Sequence, residues 1–306
     1  MGNVGAGDFV QFIPPFSATS APAITITNAG EVGVASDAAY VAATSQSSNS
    51  ILIFTQPLTA SSVPSATMTN TGSAELAAFD ASGDLWVATN AGSSISEVNE
   101  FKPPFTNAQG PVLTVATDLA NAVAVAFDGS SNLYVLNDGL VSGAPQLLVF
   151  APPYSGTPTI QALPLGNPAE ALGVAVYGNQ LAIGVFSQSL GARPLGGSIV
   201  RRGISPWPAA RHHVTGGLPP QAAGGGEILT YSLPITGSNS PTATIPQTEA
   251  EGVAFDASGT LYVGDADTPG ATGGILVFDE PLTNASTYSF AIVTGINGPA
   301  GLNFGL

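Results

Sequence analysis

The chain has no cysteine among its 306 residues, so no disulfide staples it and no thiolate can serve as nucleophile or metal ligand. Charge is nearly as scarce. Charged residues make up 8% of the sequence, and Lys102 is the only lysine. The four arginines and both histidines fall between residues 193 and 213, and the net charge is −15. So acidic a chain, with so few cations, argues against a nucleic-acid partner, because neutralising phosphates takes Lys and Arg. No run of 18 apolar residues occurs, so no segment reads as a membrane-spanning helix. No stretch sustains an apolar period of 3.6 either, which predicts almost no helix. The Gly-x-Ser-x-Gly elbow, the Walker loop and the His-Glu-x-x-His zinc motif are all missing. With His212 and His213 as the only histidines, a Ser-His-Asp triad elsewhere in the chain is excluded.

What the chain does have is a repeated phrase. Its clearest copy is Gly252-Val253-Ala254-Phe255-Asp256, then Leu261-Tyr262-Val263, then Ile275-Leu276-Val277-Phe278 with Pro281. The opening part recurs from Gly33, at Ala77-Ala78-Phe79-Asp80 and Val125-Ala126-Phe127-Asp128, and from Gly173 and Gly301. The closing part recurs at Phe9–Phe12, Ile51–Phe54, Val98–Phe101, Leu147–Phe150 and Ile228–Tyr231, each followed by proline. Each half thus occurs six times. Phe79 to Phe127 spans 48 residues and Phe255 to Phe304 spans 49, whereas Val176 to Phe255 spans 79. A regular period in this range marks a repeat array, and the long interval places an insertion of about 30 residues at 191–226. Short Val, Ile, Phe and Tyr runs bounded by Gly, Asp, Asn and Ser are strand patterns. Turns such as Asp256-Ala257-Ser258-Gly259-Thr260 suit an Asp bonding its own backbone and a Gly at positive φ.

These features predict an all-β chain folded as one six-bladed β-propeller over 1–306. The sequence begins with a closing strand and ends with an opening one. It therefore predicts closure of the ring by pairing of the N- and C-terminal strands, around Phe9–Phe12 and Gly301–Phe304, in a blade short of one strand.

The phrase Gly-Val-Ala-Phe-Asp-x-x-Gly-x-Leu-Tyr-Val resembles the NHL-repeat propellers and, more loosely, the gluconolactonase-like six-bladed family. The resemblance covers the chain apart from the insertion. It implies architecture more than activity, since such propellers include both binders and enzymes. NHL repeats commonly carry proline just before the Gly-Val pair. Here the place is taken by Val32, Glu75, Val123, Leu172, Glu251 and Ala300. The gluconolactonase-like resemblance implies a divalent metal on the channel axis with Glu before the first strand's Gly as one ligand, a position that Glu251 and Glu75 match by type.

The loops entering the first strands carry Glu31, Glu75, Asn121, Glu170, Glu249 and Glu251. Carboxylates converging on one axis would bind Ca²⁺ or another divalent cation, or raise one another's pKa; the plain alternative is a set of solvated loop residues. Asn90, Asn137-Asp138 and Asp265-Ala266-Asp267 follow the second strands, but lack EF-hand spacing and read first as turns or caps. The insertion holds Arg193, Arg201, Arg202, Trp207, Arg211, His212 and His213 and no acid, so it carries +4 against −19 for the remainder. It reads as a basic binding loop docked on an acidic surface, as an inert excursion, or as the product of a local frame shift.

From composition we expect a secreted, acidic, non-enzymatic binding or scaffold module, extracellular or at the cell surface, with its leader removed. Its partners would be a protein, a carbohydrate or further copies of itself. The alternatives are a metal-dependent lactonase or related hydrolase using the channel carboxylates, and a self-assembling extracellular structural protein.

Overall fold

The structure is a computed structural model. It describes residues 2–304 except 4–6, 28, 30–31, 46–47, 70–71, 91–95, 117, 120, 138–144, 156–157, 159, 165–169, 187–225, 248–249 and 266–272. The described residues form 23 strands and no helix, as the sequence predicts.

Five four-stranded antiparallel blades follow one another. The first holds β4 (Val34–Ser36), β5 (Tyr40–Ser45), β6 (Ser50–Thr55) and β7 (Ala66–Thr69), after β1 (Gly2–Asn3), β2 (Asp8–Gln11) and β3 (Ile24–Ile26) at the N-terminus. The second holds β8 (Ser73–Phe79), β9 (Leu85–Asn90), β10 (Ser96–Phe101) and β11 (Leu113–Val115). The third holds β12 (Ala122–Phe127), β13 (Leu133–Asn137), β14 (Gln146–Phe150) and β15 (Ile160–Pro164). The fourth holds β16 (Glu170–Tyr177), β17 (Gln180–Phe186), β18 (Glu227–Ser232) and β19 (Ala243–Pro246). The fifth holds β20 (Ala250–Phe255), β21 (Leu261–Asp265), β22 (Gly274–Phe278) and β23 (Phe290–Ile292). Each is a meander in sequence order, so each tight turn joins neighbouring strands.

The predicted sixth blade does not form. The remaining sheet has three strands, β1, β2 and β3, and residues 301–304 pair with none of them. Closure by pairing of the terminal strands is therefore also corrected. The circle is completed by packing instead. Phe9 and Ile26 of this sheet bury against Val34, Val41 and Phe54 of the first blade. On the other side Val10 buries against Tyr262, Ile275 and Ile292 of the fifth. The chain end threads between them, where the Gly301 amide donates to the Val32 carbonyl at 2.7 Å and Ser36 Oγ donates to Asn303 Oδ1 at 2.5 Å.

The repeated phrase now has a physical reading. The first strand of each blade lies nearest the axis, and the repeat glycine lets neighbouring first strands touch. A Cβ on Gly173 would lie 2.5 Å from the Glu251 carbonyl oxygen, and one on Gly252 would overlap the carbonyl oxygen of Ala300. The Asp that ends the phrase organises the next turn. Asp256 Oδ1 accepts the amides of Ser258 and Thr260 at 2.8 and 3.0 Å, and its Oδ2 accepts the Tyr262 hydroxyl at 3.2 Å. Asp128 repeats this with Ser130, Asn132 and Tyr134, and Asp80 with Ser82, Asp84 and the indole N–H of Trp86. Burial alone would raise the pKa of Asp128 and of Asp256. The hydrogen bonds they accept outweigh it and hold both carboxyls below the usual range. Their contribution to stability is present at neutral pH and lost as pH falls through those lowered values. Gly83 and Gly259 sit at φ +80° and +89° in these turns. Each of the six closing strands, β2 included, runs into an X-Pro peptide in the cis form, the last being Glu280-Pro281.

Between blades the apolar side chains interlock, as in the cluster of Leu136, Leu147, Leu181, Ile183, Leu229 and Tyr231 that joins the third and fourth. Lys102, the only lysine, bonds the carboxylates of Asp84 and Glu100 at the surface of the second blade.

Candidate functional site at the entry end of the ring

The ends at which first strands begin and second strands finish all lie on one face of the ring, because every blade is wound alike. The sequence assigns its candidate carboxylates to this face. Strand register sorts them onto two levels.

Every described first strand from β8 to β20 carries an irregularity at the same place. Register shifts fall between Ala74 and Ala77, between Ala122 and Ala124, between Ala171 and Gly173, and between Ala250 and Val253. One extra residue per strand bulges there, and bulges re-aim side chains. Counting back from the repeat Phe, the bulged positions are Glu75, Val123, Leu172 and Glu251, the same places that hold proline in the resembling repeats. Asn121, Glu170 and Glu249 stand two residues earlier. Of the described candidates, Glu75 and Glu251 stand at the bulge and Asn121 stands two residues before it.

The bulge level is not uniformly polar. Val32, Leu172 and Ala300 meet there in one buried apolar cluster with Leu76 against it. Glu75 and Glu251 are the acidic members of the level, 2% and 6% exposed. They belong to β8 and β20, which are separated around the circle by β12 and β16 on one side and by β4 and residues 300–302 on the other. They thus stand across the ring from each other.

Second strands add a polar residue at their inner ends. Ser45, Thr89, Asn137 and Asp265 are equivalent in register and all buried. One residue before Ser45, the Thr44 hydroxyl accepts the Gly33 amide at 2.7 Å and donates to the Glu75 carbonyl at 2.6 Å, tying two blades together. Asn137 donates from Nδ2 to the Asp118 carbonyl at 3.4 Å, and its Oδ1 is buried with no partner among the described residues.

The fifth blade holds two buried acids on adjacent strands. Asp265 is the register partner of Ala250, the residue next to Glu251. Glu251 and Asp265, 6% and 1% exposed, are therefore buried on adjacent strands. Burying a carboxylate costs several kcal/mol after relaxation, on the order given for charges moved out of water. The fifth blade bears that cost at two positions, on neighbouring strands.

The sequence reading missed this placement by treating Asp265 as a turn residue. The clue was its distance along the strand: it is the last strand residue opposite the bulge. Glu249, Glu31, Asp138, Asp267 and the loop residues Arg201, Arg202, Trp207, Arg211, His212 and His213 lie outside the described residues, as does the Glu170 side chain. Asn121 precedes β12 at φ 72°. Among the described residues no three of His, Cys, Asp and Glu come close enough to hold a metal ion. The metal expected from the resemblance thus finds no complete ligand set there, and no step below depends on it.

No family model matches the chain, so an NHL repeat is not shown, and no curated protein matches it. Solved structures do match. A gluconolactonase from Xanthomonas campestris superposes at TM-score 0.56 with 12% identity, over 90% of this chain and 79% of that one. A Bacteroides uniformis protein assigned as a 6-phosphogluconolactonase gives 0.58 with 11% identity, over 97% and 81%. The hydrazine synthase of Kuenenia stuttgartiensis gives 0.53 with 12% identity, over 84% and 67%. At these identities the likeness is one of fold: the chain is a β-propeller whose structural neighbours include lactonase-like propellers.

Proposed function

We propose that the chain is a hydrolase of the lactonase class, acting on a small cyclic ester at the entry face of the ring. The observation that carries this is the burial of two acids, Glu251 and Asp265, on adjacent strands. No cysteine exists, both histidines lie at 212–213, and burial holds Tyr134, Tyr231 and Tyr262 protonated, which leaves carboxylates as the ready general bases in the propeller strands. In the reaction water adds to the lactone carbonyl and gives its proton to one carboxylate of the pair. The ring C–O bond then breaks, and the leaving alkoxide takes that proton back, leaving a hydroxy acid. Two of the structural neighbours carry lactonase names, which is consistent with this reading.

The test is a screen of five- and six-membered sugar lactones by acid release, with chelator, with Ca²⁺ and with Zn²⁺. Glu251→Gln is expected to lower turnover by about 10²–10⁴-fold, the range for removing a general base, while the melting temperature stays near that of the parent. Turnover unchanged in that variant, or no lactone opened by the folded protein, would overturn the reading.

A binding or scaffold module, extracellular or at the cell surface, is the second reading, with a protein or carbohydrate partner. The acidic, lysine-poor composition supports the location, and a cavity of about 420 Å³ at the short sheet, lined by Phe12, Ile13, Tyr262, Leu302 and Phe304 among others, supports the binding role.

A further inference from the structure

The face opposite the entry end carries two exposed aromatic rings where the fourth and fifth blades meet. Among the described aromatic residues Tyr177 and Tyr288 are the exposed ones, at 38% and 46%. Both pack on one side of the fifth blade, the side that faces the fourth. Phe255, Leu261 and Phe278 stand opposite one another across β20, β21 and β22, and they are buried on that side with Ala182 and Ile228 of the fourth blade. The Tyr177 ring lies on Phe255 at 5.9 Å, and the Tyr288 ring meets Phe278 edgewise at 6.4 Å. The two supporting phenylalanines are two strands apart, about 10 Å at the usual strand spacing.

Polar groups stand beside the rings. Glu280 is exposed, and its Oε2 accepts from Gln180 Nε2 at 3.3 Å across the boundary between the blades. Gln180 is itself the register partner of Tyr177. A Cβ on Gly259 would lie 2.8 Å from Tyr177 Cε1 and 3.6 Å from Glu280 Cγ, so the ring and the acid come together over that glycine. The Tyr177 hydroxyl donates to the Ala257 carbonyl at 3.0 Å, which holds the ring on the turn. Among the described residues of this strip the charged groups are acids: Asp256, Asp279 and Glu280.

We propose that this strip binds a neutral oligosaccharide, laid across the end of the fifth blade from Tyr177 to Tyr288. A sugar ring has apolar C–H faces and a rim of hydroxyls. Exposed tyrosines offer rigid, amphipathic area to the faces, and a carboxylate beside a primary amide both accepts from and donates to neighbouring hydroxyls. The rings are separated by polar groups rather than joined in one apolar patch, which favours a sugar over a protein surface. Charge selects the class, because acids in the strip and a net charge of −15 repel an anionic glycan. The spacing selects the length, since a chain of sugars spans both rings and a single sugar reaches one. The strip lies on the other face from Glu251 and Asp265 and is independent of the role given to them.

The experiment titrates the full chain with cellotetraose, xylotetraose, mannotetraose and maltotetraose, and with glucose and tetragalacturonic acid, by isothermal titration calorimetry. At least one neutral tetrasaccharide should bind saturably, about tenfold or more tighter than glucose and than the anionic chain. Tyr288→Ala should weaken that binding about tenfold, the order of one lost aromatic contact, while Tyr288→Phe keeps it. Tyr177→Ala should act alike, but it also removes packing from Phe255. Glu280→Ala therefore serves as a further variant, expected to weaken binding while melting like the parent. Glu251→Gln, on the entry face, should bind the sugar as the parent does. No saturable binding of any neutral tetrasaccharide, or equal binding by the parent and Tyr288→Ala, would overturn the proposal. So would binding that is lost in Glu251→Gln, which would place the sugar on the entry face.

Discussion

Gly252→Ala is expected to cost about 3 kcal/mol or more, the upper end for forcing a methyl into a packed interior, and to give little soluble protein. The added carbon would overlap the Ala300 carbonyl oxygen, an atom of backbone rather than of a movable side chain. Relief requires β20 and the terminal segment to move apart, and that contact is where the fifth blade meets the closure. Gly129→Ala is the control, because a Cβ there meets nothing within 4 Å. Thermal or denaturant unfolding of the two variants should differ by most of the Gly252→Ala effect. Similar midpoints for both would mean that first strands are not in contact around the axis.

Trp86→Ala is the second large effect, about 3–5 kcal/mol from transfer and cavity together. Trp86 is 1% exposed and is the aromatic that opens β9. Its indole N–H donates to Asp80 Oδ2 at 3.1 Å, so the turn between the first two strands is fastened to the strand that follows. Its ring stacks edgewise on Tyr154 at 4.9 Å and Phe127 at 5.6 Å, residues of the next blade. Removing it therefore loosens one turn and one interface between blades at once. Trp86→Phe keeps most of the packing and loses the hydrogen bond, and should cost about 1–2 kcal/mol, the range for one unmade bond at a buried group. Chemical denaturation followed by circular dichroism separates the two. Equal losses in both variants would assign the effect to the hydrogen bond alone.

The legible part of the fold was local. Gly-Val-Ala-Phe-Asp reads as a strand because each residue has a job set by near neighbours: close approach, burial, and an Asp that bonds amides two and four residues on. The same is true of the closing strands and their prolines, so all six were countable. The missing part depended on pairing between distant segments. Nothing in Gly301–Phe304 says that its side chains pack on Tyr262 while its backbone stays out of the sheet. Likewise the alternation of a strand gives its faces, but one bulged residue moves everything before it. That shift sets the level of Glu75 and Glu251, and no periodicity in the sequence shows it. Asp265 was misread for a related reason, since an Asp near Gly and Thr suits a turn whether or not the strand continues through it.

The central structural claim is that the ring closes by packing around a short sheet whose second strand is incomplete. Residue-resolved hydrogen exchange at Phe12 tests it most directly. The Phe12 amide, beside the cavity at the short sheet, is expected to exchange far faster than those of Phe54, Phe101, Phe150, Tyr231 and Phe278, whose strands are paired on both sides. Protection of Phe12 equal to that of its five counterparts would contradict it, and would mean that a sixth complete blade exists in solution.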